Sequence, residues 1–224
     1  MRKTILLWDI DGTLLDTNSA GVAPLTSAVS ETLGIVTNFN RSECAGLTDY
    51  QIIKHMAKKF CSQEVLDKNI DEIIDKYNTR LEKSLQDNPA KGLNNIEDKL
   101  NYLLKFSLIN SHICTGNNLH GAYLKLKSAN LYEYFSSSII FSAKNFSERA
   151  SIVRRAKEHF EIESLFVIGD TLHDIQAARA ANLPAIIIGS KNFPVENPSI
   201  SQADYILPYD WKPEELLKIV SSLC

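Results

Sequence analysis

Ile5-Leu6-Leu7-Trp8-Asp9-Ile10-Asp11-Gly12-Thr13-Leu14 is the stretch from which the fold can be read. Its unbroken apolar run suits a strand buried on both faces, and Asp-Ile-Asp-Gly ends that strand in a turn. Such strands belong to parallel sheets, so similar runs should recur downstream. Candidates are Ile109 to Thr115, Ser138 to Ser142, Leu165 to Ile168, Ala185 to Ile188 and Tyr205 to Leu207. Helical periodicity fills the intervals, over Ile96 to Lys105, Leu119 to Ala129, Glu148 to Phe160, Ile175 to Ala181 and Glu214 to Leu223. Strands alternating with helices predict an α/β fold, a Rossmann-like parallel sheet with helices on both sides.

From about Thr17 to Pro89 the alternation stops. Asp49 to Phe60 carries one helical stripe (Ile52, Ile53, Met56, Ala57, Phe60), and Ile70, Ile73, Ile74, Tyr77, Leu81 and Leu85 make another. These read as packing faces of an inserted bundle. The expected organisation is a core domain from residues 1–16 and 90–224, with a helical cap domain over 17–89. Pro89-Ala90-Lys91-Gly92 would be the return hinge.

The chain has 224 residues, 44% hydrophobic and 23% charged, enough for a substantial core. Its 24 Lys and Arg against 27 Asp and Glu give a net charge of -3, which offers no signature for nucleic acid or an acidic membrane. Cys44, Cys61, Cys114 and Cys224 form no C-x-x-C pair, so they read as free thiols rather than zinc ligands. Asp9 and Asp11 cut the first apolar run far short of a signal or membrane segment, and the expected location is cytoplasmic.

In an open parallel sheet, ligands bind beyond the carboxyl ends of the strands. The residues there are Asp9-Ile10-Asp11-Gly12-Thr13, Thr115-Gly116-Asn117 and Gly169-Asp170-Thr171-Leu172-His173-Asp174. Carboxylates gathered this closely repel one another, and all-oxygen ligands favour magnesium as the compensating ion. The metal would also let a phosphate dianion approach.

These segments resemble the motifs of the haloacid dehalogenase superfamily of phosphotransferases. Asp9-Ile10-Asp11-Gly12-Thr13-Leu14 looks like the first motif, Thr115-Gly116-Asn117 the second, and Gly169-Asp170-Thr171 with Asp174 the fourth. Asp16-Thr17 and Gly46-Leu47-Thr48-Asp49-Tyr50-Gln51-Ile52-Ile53 further resemble the phosphoglycolate phosphatase-like branch. The resemblance implies a phosphatase that hydrolyses a small phosphorylated metabolite through an aspartyl-phosphate. Asp9 would be the nucleophile and Asp11 the acid and base. Asp9, Asp170 and the Asp11 carbonyl would ligate Mg2+, with Asp174 orienting its water or ligating directly. Thr115, Gly116 and Asn117 would hold the phosphoryl oxygens. No nucleic-acid or membrane partner is expected, and monomer and homodimer stay equally open.

The third motif departs from the usual pattern, since no Lys-Pro precedes the expected helix. Two cations remain, Lys144 and Arg149, with Arg149 the better match in spacing. It would bridge Asp9 and a phosphate oxygen. Simpler readings stand beside these roles. Thr115 would cap a helix starting near Asn117, Asp174 would be an N-cap, and His173 an exposed loop residue. His55, His112, His120 and His159 show no ligand spacing, and Lys58-Lys59 reads as a solvated face. Asn40-Arg41-Ser42 and Asn145-Phe146-Ser147 match glycosylation acceptors, which a cytosolic chain would not use.

Two other functions fit parts of this pattern. A sugar phosphomutase would return the phosphoryl group to its substrate, although Thr13 stands where the mutases tend to carry an aliphatic residue. A silent phosphate-binding or interaction protein would keep the fold and lose turnover. A hydrolytic dehalogenase fits less well, because the position of Asp11 is not acidic in that branch.

Overall fold

The computed structural model describes residues 3–44, 46–144, 148–160, 164–190 and 194–222, with backbone only at 41–42. Asn145-Phe146-Ser147, Cys224 and the predicted helical end at Leu223 lie outside these. The chain begins with β1 (Thr4–Trp8), β2 (Leu15–Asp16), α1 (Val22–Leu33), α2 (Arg41–Cys44), α3 (Asp49–Ala57), α4 (Gln63–Asp87) and β3 (Lys91–Gly92). It continues through α5 (Ile96–Leu103), β4 (Ile109–Asn118), α6 (Leu119–Ser128), β5 (Ile140–Ala143) and α7 (Arg149–His159). The last elements are β6 (Ser164–Gly169), α8 (Leu172–Ala180), β7 (Ala185–Ile188), β8 (Tyr205–Leu207) and α9 (Pro213–Ser221).

Six strands form one parallel sheet in the order β5-β4-β1-β6-β7-β8. The chain winds from β1 through β4 to β5, then returns to the other side of β1 for β6. Right-handed crossovers therefore place α5 and α6 on one face and α7 and α8 on the other. This reversal makes β1 the central strand at a switch point, the place where such sheets bind ligands. Register then gathers the site. Trp8 lies opposite both Ile113 and Ile168, so the residues that follow them, Asp9, Cys114-Thr115 and Gly169-Asp170, emerge at the same edge.

Every β1 side chain is buried, as its apolar run predicts. Trp8 donates its indole N–H to Ser111 Oγ (3.1 Å) and stacks on Trp211, with ring centroids 6.2 Å apart. Lys99 Nζ lies 4.5 Å from the centre of the Trp211 ring, closing this corner with a cation. β4 shifts register between Cys114 and Asn118, an irregularity that falls on Thr115-Gly116-Asn117 and re-aims their groups.

The interruption holds four helices, α1 to α4, and no strand among its described residues. α4 buries Ile70, Ile73, Ile74, Tyr77, Leu81 and Leu85, the whole predicted stripe. Lys76 and Arg80 of α4 both pair with Glu31 of α1. The α3 stripe is shorter than expected. The helix stops at Ala57, and Phe60, in the turn beyond it, is 52% exposed. The two connections to the sheet run side by side, because Leu15 and Asp16 pair antiparallel with Gly92 and Lys91. Among the described residues no helix is long and apolar enough to cross a membrane.

Candidate functional site

Asp9 follows β1 directly, and its backbone N–H donates to Ile168 O (2.8 Å), which ties the start of the loop to β6. The turn after it needs Gly12, whose φ is +83°. A Cβ there would lie 2.3 Å from Asp170 Oδ2. The first and fourth motifs thus touch through a residue with no side chain.

Asp9, Asp170 and Asp174 are all buried, and one carboxylate oxygen of each falls within 4.8 Å of the others. Asp170 Oδ1 is buried without a hydrogen-bond partner. An orphaned buried oxygen among like charges is what a hard divalent cation would satisfy, so these residues fit such an ion. Burial pushes the Asp9 carboxyl up to about 6 against the pull of Arg149, while Asp174 adds like charge. Asp170 is held well above the usual carboxylate range by burial, then by Asp174 and Asp9.

Arg149, the first residue of α7, reaches into this cluster. Its Nη2 lies 2.6 Å from Asp9 Oδ1 and 2.9 Å from Asp174 Oδ1, and its Nη1 donates to Gly46 O (3.2 Å). Burial opposes the guanidinium charge, but Asp174 and Asp9 outweigh it and hold its pKa above the ordinary value. Lys144, the other cation considered from the sequence, is exposed and does not line the cavity described below.

Thr115 does not cap the next helix. That role falls to Asn118, whose side chain accepts the Gly121 N–H (3.0 Å), because the helix begins at Leu119, where the periodicity put it, and not near Asn117. Thr115 Oγ1 instead accepts from Asn117 Nδ2 (2.8 Å) and more weakly from Asn117 N (3.3 Å). Asp174 is likewise not an N-cap. Thr171 holds that position, and Asp174 Oδ2, one turn in, accepts its N–H (3.0 Å) and its hydroxyl (2.7 Å). His173 is not an exposed loop residue but the half-buried second residue of α8, packed where a Cβ on Gly46 would meet it at 2.5 Å. Burial lowers its pKa, with Arg149 adding to the effect. The Cys114 thiol is pushed up to about 12 by burial, which keeps it protonated and unreactive.

The structure adds a residue that the sequence reading passed over. Lys125 of α6 is buried, 2.7 Å from Asp11 Oδ2 and 2.5 Å from Asn117 Oδ1. Asp49 of α3 is buried as well, and its Oδ2 accepts Asn118 N (2.8 Å) and Nδ2 (2.9 Å). The available signal was helix phase, since Lys125 falls three and four residues after the buried Ala122 and Gly121.

A cavity of about 540 Å³ opens between the strand ends and the inserted helices. Asp9, Asp11, Thr115, Gly116, Asn117, Lys125, Arg149 and Asp170 line its floor, and Val22, Leu25, Phe39 and Ile52 belong to the opposite wall. Asp174 lies behind the floor, reached through Arg149 and Thr171. Of the site residues named from sequence, seven reach the cavity and Asp174 supports them from below.

The backbone is similar to those of several solved proteins. A predicted phosphatase from Clostridium acetobutylicum is 20% identical, covers 99% of this chain and 100% of its own, and superposes with a TM-score of 0.73. CbbY from Rhodobacter sphaeroides, in complex with phosphate, is 17% identical over 94% of this chain and 96% of its own (TM-score 0.71). An HAD hydrolase of family IA, variant 3, from Entamoeba histolytica is 21% identical over 99% and 100% (TM-score 0.70). No curated protein matches the chain. The model of the haloacid dehalogenase-like hydrolases matches residues 6–188, from within β1 to the last residue of β7. Since that match takes in the inserted helices and every carboxylate of the site, the chain belongs to the haloacid dehalogenase-like hydrolase family.

Proposed function

We propose that this hydrolase is a magnesium-dependent phosphatase that cleaves a small-molecule phosphate monoester through an aspartyl-phosphate on Asp9. The observation that carries the reading is the buried Asp9 carboxylate, held 2.6 Å from Arg149 at the floor of a cavity and beside the unpartnered Asp170 oxygen. CbbY, a protein of similar fold, was solved in complex with phosphate, which is in keeping with a phosphoryl ligand.

Asp9, Asp170 and the Asp11 carbonyl would hold Mg2+, with Asp174 orienting its water or ligating directly. Such an ion, when bound, would supply positive charge to offset the phosphate dianion and the carboxylates. An Asp9 oxygen then bonds to phosphorus as the bond to the leaving oxygen breaks, and Asp11 gives that oxygen its proton. In the second half Asp11 takes a proton from water, which attacks phosphorus and frees Asp9 and inorganic phosphate. Arg149 offsets the charge on Asp9 and the transferring oxygens, and Thr115, Gly116 and Asn117 border the place where they gather. Residues 17–89 are read as a cap domain over a core of 1–16 and 90–224, and its apolar wall would receive the substrate body.

Phosphate release from p-nitrophenyl phosphate and a panel of phosphorylated metabolites, with magnesium or with chelator, tests the reading. Turnover is expected only with magnesium, and Asp9→Asn should abolish it. Wild-type rates in chelator, or an active Asp9→Asn variant, would sink the proposal.

A further inference from the structure

Among the described residues the floor of the cavity holds two buried cations, and only Arg149 has a place in the proposed reaction so far. We infer that the second, Lys125, is a positioning residue for the acid and base step: together with Asn117 it occupies one oxygen of Asp11 and commits the other to moving the proton. The inference rests on the phosphatase reading, in which Asp11 serves the leaving group.

Three hydrogen bonds close a ring. Lys125 Nζ donates to Asp11 Oδ2 (2.7 Å) and to Asn117 Oδ1 (2.5 Å), and Asn117 Nδ2 donates to the same Asp11 Oδ2 (2.8 Å). Two donors aimed at Oδ2 fill its lone pairs, so a proton carried by this carboxyl resides on Oδ1. The ring also fixes the plane of a side chain that would otherwise rotate freely, and proton transfer needs the donor oxygen within hydrogen-bond reach of its target. Exposure is divided accordingly. The Lys125 side chain is 8% exposed and that of Asp11 40%, so the lysine is sealed behind the acid while the acid opens to the cavity.

The ammonium has little freedom to drift. α6 is anchored at its first turn by Asn118, which Asp49 and Asn78 of the inserted helices hold in turn. Tyr77 and Asp49 also face Lys125, and with Asp11 they outweigh the burial that opposes its charge. Burying a lysine costs free energy that an apolar residue of similar length would not incur, so packing alone does not account for it.

The test is a leaving-group series from p-nitrophenyl to alkyl phosphates, run on the wild type, Lys125→Met, Asp11→Asn and the double variant. Lys125→Met should lower kcat for alkyl esters by about 10²-fold, the lower end for a general acid, while p-nitrophenyl phosphate, which needs no proton, loses only a few-fold. In the Asp11→Asn background the same change should cost nothing further, because its effect passes through Asp11. Lys125→Arg, which keeps the charge, should restore part of the alkyl rate. An equal loss with every leaving group, or an additive loss in the double variant, would overturn the assignment. Absence of wild-type turnover on every ester would overturn the phosphatase reading itself, which separates the two failures.

Discussion

Asp9 is pulled in two directions, since burial and Asp174 disfavour its charge while Arg149 favours it. Removing the guanidinium leaves only the disfavouring side. Arg149→Ala should therefore lower kcat about 10²-fold or more, the scale lost with a preorganised charge-stabilising group. Arg149→Lys should recover part of the loss, and Lys144→Ala, at an exposed position away from the cavity, should change little in the same assay. The raised carboxyls also set a pH dependence of stability. Between the ordinary value of 3.8 and about 6, folded Asp9 holds a proton that the unfolded chain has released, so stability falls as pH rises through that window. Asp170 and Asp49, also raised by burial, act in the same sense. Thermal melts of metal-free protein should show the decline, and Asp9→Asn should flatten it. Magnesium needs the deprotonated carboxylates, so it should raise the melting temperature more near pH 7 than near pH 5, roughly one unit either side of the Asp9 value. Equal magnesium shifts at both would contradict the assignment.

Among elements, the most consequential joint is the start of α6. Asn118 caps the helix, donates twice to Asp49 of α3 and accepts from Asn78 of α4, so one side chain ties two inserted helices to the sheet. Asn118→Ala would strip a buried carboxylate of its side-chain donor and uncap the helix. A loss of about 1–3 kcal/mol in urea denaturation is expected, and an unchanged midpoint would show the joint to be idle. This joint also marks where reading from sequence stops. β1, β6 and β7 were legible because strands buried on both faces are apolar throughout, and the α4 stripe because one face of a long helix repeats. The carboxylates Asp9, Asp11, Asp170 and Asp174 were legible as a group because they punctuate strand ends. Lys125 was not, since on paper it is one of two basic residues in the last turn of α6, and a lysine is ordinarily read as solvated unless an acid is known to face it. Asp174 was displaced from a capping role because α8 begins at Leu172, three residues before the periodic stretch from Ile175, and a boundary error of that size changes which side chain meets the first free N–H groups. Phe60 failed differently, because periodicity carries on past a helix end that only the turn at Lys58-Lys59 determines.

At the level of the whole molecule, a reversal of winding at β1 creates the crevice, and the paired segments Leu15–Asp16 and Lys91–Gly92 carry the chain out to the inserted helices and back at almost one point. Four helices are thus joined to the sheet by two adjacent crossings and by contacts such as Asn118 with Asp49, an arrangement in which the two parts need not melt together. The chain contains a means of watching them separately. Its two tryptophans, Trp8 and Trp211, are both buried in one stacked pair, and one of them immediately precedes Asp9. Tryptophan emission, excited beyond tyrosine absorption, therefore comes from the core alone, while α1 to α4 contribute about half of the helical far-ultraviolet ellipticity of the described residues. Coincident thermal curves by the two signals would mean one cooperative unit, and ellipticity lost ahead of a red shift in emission would mean that the insertion unfolds first. On the proposed mechanism the reaction at Asp9 would take place next to the Trp8 indole, so the same emission should report phosphorylation of the enzyme without any added dye.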